Sequence, residues 1–175
     1  MAHRMGVGGD IVATIQFKRG DEYLAKIARL EAELKDEVLG EAIFGAAGIV
    51  ADEIRESLDR VPTDESFGTP DQPNVGPKKR QLEGLMQSLG IASMQDDGTG
   101  YLNVKIGFDG YNDIETQRWP DGQPNQMVAR SVESGTTWMK KNPFVRKAVT
   151  ASRKRALEYM KDSVDRSIEE IMEGD

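Results

Sequence analysis

Leu39, Ile43, Ala47, Val50, Ile54 and Leu58 recur at steps of three and four residues, and so do Val145, Val149, Ser152, Ala156, Met160, Val164, Ile168 and Ile171. Steps of that size match the turn of an α-helix, so each series makes one stripe and predicts a long helix. The second helix has Asn142 as a suitable cap, Pro143 at the first helical position and Gly174 as its stop. About thirty residues at ~1.5 Å each span ~45 Å, more than a domain of this size can cover. Such a helix must break, fray or pack on a neighbour.

Between and before the stripes the pattern changes. Ile11 to Phe17 (IVATIQF) is β-branched and aromatic between Gly9 and Gly20, and predicts a first strand. Asp21 can cap a short helix carrying Leu24, Ile27, Leu30 and Leu34, with a weak break near Lys35 and Asp36 before the long helix. That long helix contains Gly40, Gly45, Ala46, Ala47 and Gly48. Each glycine costs roughly 1 kcal/mol relative to alanine, which points to close packing there. Residues 61–77 (VPTDESFGTPDQPNVGP) hold Pro62, Pro70, Pro73 and Pro77 with little periodicity and read as a long loop. Loops beyond about 12 to 15 residues tend to be functional or disordered. This one leads into Lys78, Lys79 and Arg80, so a contact loop is expected.

Gln81 to Leu89 predicts a short helix with Leu82, Leu85, Met86 and Leu89 on one side. Ile91 to Met94 is a possible strand and Asp96-Asp97-Gly98 a turn. Tyr101 to Phe108 alternates Leu102, Val104, Ile106 and Phe108 with Asn103, Lys105 and Gly107, the pattern of a half-buried antiparallel strand. After an irregular stretch over 109–125, Gln126 to Glu133 (QMVARSVE) fits either a strand or a short helix. The whole predicts one α+β domain, in which two N-terminal helices and a long C-terminal helix pack on a small antiparallel sheet. Residues 1–10 are expected to be a flexible terminus and 61–80 a long loop.

Composition narrows the chemistry. The 175 residues, 38% hydrophobic, suffice for one ordinary core. A net charge of -7 argues against a general nucleic-acid or anionic-membrane binder. The absence of cysteine removes disulfides, thiolate metal sites and thiol nucleophiles. His3, the sole histidine, lies near the N-terminus, which removes Ser-His-Asp triads and histidine-based zinc sites. No apolar run approaches the roughly 18 residues of a membrane span, and MAHRMGVGGD lacks the apolar core of a signal peptide, so the protein is expected to act where it is made. GVGGD precedes the first strand rather than linking strand to helix, unlike a phosphate cradle. Asp52, Glu53, Glu56 and Asp59 read as a solvated helix face, with cation binding or acid-base work as the alternative. Asp109, Asn112, Asp113 and Glu115 have calcium-friendly composition without EF-hand spacing. Trp119 and Trp138 either anchor interfaces or cap the core. No catalytic residue, cofactor or metal is expected.

The charges of the last helix run the wrong way. Residues 138–155 carry Lys140, Lys141, Arg146, Lys147, Arg153, Lys154 and Arg155 and no acid, a local +7. Residues 156–175 carry seven acids against Lys161 and Arg166, a local -5. Both ends oppose the helix macrodipole, by about 0.3 to 1 kcal/mol per exposed charge. Either this is a solvated surface serving solubility, or the basic end of one subunit meets an acidic end of a neighbour or partner.

Four segments carry a family resemblance: LDRVP (58–62), LMQSLGI (85–91), VKIGFDGY (104–111) and, most specifically, ARSVESGTT with NPFVRKAV (129–137 and 142–149). Over roughly residues 11–165 the chain resembles the tail-component family of tailed bacteriophages with long, non-contractile tails, the tail-completion or head–tail joining proteins of the neck. Its SFGTPDQPNVGPKKR (66–80) is longer than the short basic link usual in such sequences. The resemblance implies a non-enzymatic virion or prophage structural protein forming a ring, a hexamer, between the tail tube or tail-terminator protein and the head-completion or connector protein. Genomic DNA would pass only as cargo, no membrane is involved, and assembly takes place in the host cytoplasm. The interfacial residues expected in that setting are Glu133, Gly135, Thr136 and Trp138 in the turn, then Lys140 and Lys141, then Phe144, Arg146 and Lys147 at the helix start, with Lys78, Lys79 and Arg80 by the loop. Gly135 is expected to adopt positive φ and Phe144 to dock the helix on the sheet. A tail-terminator protein that caps the tube is the near alternative, and a small-ligand or enzymatic domain the distant one.

Overall fold

The computed structural model describes residues 13–18, 32–96, 98 and 101–173. Strand β1 (Ala13–Lys18) precedes helix α1 (Ala32–Asp59), helix α2 (Lys79–Ser88), strands β2 (Leu89–Ile91), β3 (Gln95–Asp96) and β4 (Tyr101–Phe108), helix α3 (Asn125–Ser134) and helix α4 (Phe144–Glu173). The chain is α+β. His3, the Gly6–Asp10 segment and most of the short helix expected after Asp21 lie outside the described residues.

The sheet is antiparallel and built around β4. β1 pairs along one edge, from Ala13 opposite Ile106 to Lys18 opposite Tyr101. β2 and β3 take the other, with Leu89 opposite Phe108 and Gln95 opposite Asn103. The alternation in β4 is realised as read, since Leu102, Val104, Ile106 and Phe108 are all buried. Residues 91–94 do not form one strand as expected. β2 ends at Ile91, Ala92 makes one further bond from its N–H to the Lys105 carbonyl of β4, and pairing resumes only at Gln95.

Helix α1 is the centre of the core. Its whole predicted stripe, Leu39 to Leu58, is buried, and the helix packs against both the sheet and α4. The break expected at Lys35 and Asp36 does not occur, and the helix runs unbroken from Ala32. Neither residue is a helix breaker, and continuing costs less than a new nucleus. The close packing expected from its small residues occurs at Gly45. A Cβ added there would lie 2.1 Å from the Tyr159 ring of α4, whereas one on Gly48 would meet nothing within 4 Å.

Helix α4 lies along α1 with Val145, Ser152, Ala156, Met160 and Val164 buried, and Arg155 reaches across to Glu53 at 2.5 Å. At its start, the Phe144 ring meets Phe108 of β4 edge to face at 5.8 Å, so the helix is docked on the sheet as expected. The segment left open between strand and helix is α3, whose Val128, Ala129, Val132 and Glu133 share one buried face. The turn at 135 therefore follows a helix rather than a last strand.

Candidate assembly surface

Two irregular segments with no periodicity of their own are hydrogen-bonded into one body. Asn74, in the loop between α1 and α2, donates its backbone N–H to the Trp138 carbonyl at 2.9 Å and accepts the Lys140 N–H at 2.8 Å. The Asn142 side-chain amide donates to the Val75 carbonyl at 2.9 Å. The two segments approach so closely that a Cβ on Gly68 would lie 2.0 Å from the Trp138 carbonyl oxygen. Inside the loop, Asp64 accepts the Ser66 hydroxyl at 2.6 Å, the Ser66 N–H at 3.0 Å and the Val75 N–H at 3.2 Å. The Ser66 hydroxyl first, then the Ser66 and Val75 amides, hold the Asp64 carboxyl below its ordinary range. The Asn74 side-chain amide adds a bond to the Ser66 carbonyl, and Glu65 accepts the Lys79 N–H that opens α2. The long loop is thus a fastened strap.

The far side of the turn is fastened from beneath. Gly135 has φ +74°, a left-handed value that costs glycine nothing. Just before it, buried Glu133 turns its carboxylate to the first turn of α4, accepting the Val145 N–H at 2.8 Å and the Arg146 N–H at 3.2 Å. Asn142 was expected to cap this helix and does not. Its amide is committed to Val75 and Lys140, and the Pro143 carbonyl accepts the Lys147 N–H, so helical bonding starts one residue later than expected. A carboxylate from a neighbouring helix answers the exposed N–H groups instead.

This framework sorts the expected interface residues. Phe144 and Glu133 are interior, as core anchor and helix cap, and offer no contact surface on the chain itself. Thr136 accepts the Trp138 N–H through its hydroxyl and closes the turn on Met139. Trp138 is 56% exposed, Phe67, next in the chain to the Gly68 that abuts the Trp138 carbonyl, is 87% exposed, and Val75 is exposed as well. The Lys78 ammonium lies over the Phe67 ring at 4.3 Å. Lys140, Lys141, Arg146 and Lys147 are exposed nearby. Lys79 lies 3.9 Å from Glu83, and Arg80 pairs with Asp113, which diverts both from the patch. The result is an exposed aromatic projection, with Lys78 over Phe67 and exposed Lys140 and Lys141 following Trp138 in the chain. Phe67 is not among the residues expected at the interface, and the only signal for it in the sequence is a large aromatic inside a proline-rich loop.

The acidic candidates are occupied otherwise. Asp52 and Glu56 pair with Arg55 and Arg60 close by in the chain, as a solvated face would, whereas Glu53 departs from that expectation: its side chain is mostly covered because it turns to Arg155 of α4. Asn112 is buried, and its side-chain oxygen accepts the Ile114 and Gln123 N–H groups rather than facing outward. Trp119 is half-buried with the Arg118 guanidinium 5.5 Å from its ring. Among the described residues no three acidic or histidine side chains converge, and no helix is long and apolar enough to cross a membrane. Comparison with known proteins returned no matching family model, curated protein or solved structure.

Proposed function

We propose that the chain is a structural ring subunit of the phage neck, a tail-completion or head–tail joining protein linking the tail tube to the head connector. The observation that carries the reading is the fastened aromatic projection. The most family-like segments, ARSVESGTT and NPFVRKAV, are the ones that build it, since Glu133 and Gly135 hold the turn and Phe144 anchors the helix behind it. Exposed Trp, Phe and lysine on a rigid support suit contact with another protein. The net charge of -7 suits a wall past which DNA slides without sticking.

The test is imaging of phage particles assembled without this protein. Tails of normal length that fail to join heads are expected, and overlong tails would replace the reading with tail termination. A purified protein that stays monomeric and never occupies a tail end would overturn both.

A further inference from the structure

At the end of the molecule away from the projection, α1 and the second half of α4 leave a cleft of about 460 Å³ walled by Glu41, Gly45, Tyr159, Ser163, Arg166 and Glu170. Clefts of ~300–1,000 Å³ accept side chains or small ligands. This one combines two carboxylates, a guanidinium and the edge of a phenol. Its volume fits an indole, its guanidinium can lie over an aromatic face, and its carboxylates suit ammonium groups beside that indole. Trp138 flanked by Lys140 and Lys141 has that composition.

The two surfaces cannot meet within one chain. Trp138 precedes α4, whereas the cleft residues of α4 run from Tyr159 to Glu170, roughly 20 to 40 Å further along its axis. We infer that the Trp138 projection of one copy docks in the Glu41–Glu170 cleft of the next, a head-to-tail contact in which the reversed charges of α4 become complementary between subunits. A heterologous contact of this kind closes into a ring or runs on as a filament. The inference rests on the ring-subunit reading and names the contact on which that ring is built.

Zero-length carbodiimide coupling of the purified protein at low salt reads the contact directly. Amide bonds from Lys140 or Lys141 to Glu41 or Glu170, found by peptide mapping in covalent oligomers, are expected. All four side chains are exposed, so charge reversal does not disturb the core. Lys140→Glu with Lys141→Glu, or Glu41→Lys with Glu170→Lys, is expected to weaken association at least about tenfold in sedimentation, and the fourfold swap to restore it. Oligomers that cross-link elsewhere and ignore both reversals would overturn this contact while leaving the ring reading standing. A chain that sediments as a monomer at every concentration would overturn this contact, and one that also never occupies a tail end would overturn the ring reading with it.

Discussion

Glu133 shows how one buried side chain can fix the aim of a helix. Its two oxygens answer the Val145 and Arg146 N–H groups at the positive end of α4, close to the turn that presents Trp138. Glu133→Ala leaves both donors without an acceptor and is expected to lower unfolding free energy by about 1–3 kcal/mol in urea titration. Glu133→Gln keeps one acceptor oxygen and should lose less. A loss no larger than that of an exposed substitution would refute the capping role. Asp64 makes a pH-dependent counterpart. Its folded pKa is depressed below the ordinary value of 3.8, so its contribution is present above that value and disappears as pH falls through the folded pKa. Hydrogen exchange at the Val75 amide should therefore accelerate in that acid range, and Asp64→Asn should abolish the step.

Among the elements, α1 allows its two kinds of glycine to be told apart. Gly48→Ala meets nothing within 4 Å and should stabilise the protein by about 0.5–1 kcal/mol, the ordinary gain of alanine in a helix. Gly45→Ala places a methyl inside the Tyr159 ring and should forfeit that gain by displacing the ring. Combining it with Tyr159→Ala should recover the gain, and thermal melts of the wild type, the two single variants and the double variant measure the coupling. Equal effects at both glycines would remove Tyr159 as the cause. The elements that the sequence disclosed share a feature. The stripe of α1 and the alternation of β4 state which face is buried, and burial was the deciding term for both. Sequence spacing was silent where long-range polar bonds decide. Nothing local marks Glu133 as the cap for a helix that starts eleven residues later, or Asn74 as the partner of Trp138 and Lys140. The α3 segment was ambiguous because ten residues hold too few turns for one period to outweigh the other.

At the scale of the whole molecule, charge is separated along α4, with seven basic residues in 138–155 and a local -5 in 156–175. Self-association driven by that separation should weaken as salt rises from about 0.1 M to 1 M, over which the screening length falls from ~10 Å to ~3 Å. Light scattering across that range is the measurement, and oligomers indifferent to salt would show that apolar contact alone holds them. The hydrogen bonds tying the 61–77 loop to the turn at 138–142 bear on the other half of the contact. Ordering an unconstrained backbone costs about 1–2 kcal/mol per residue, and over a segment this long that would exceed what a modest contact returns. Here that entropy is already lost when the chain folds, so the indole arrives at its partner preorganised, and a small interface can suffice.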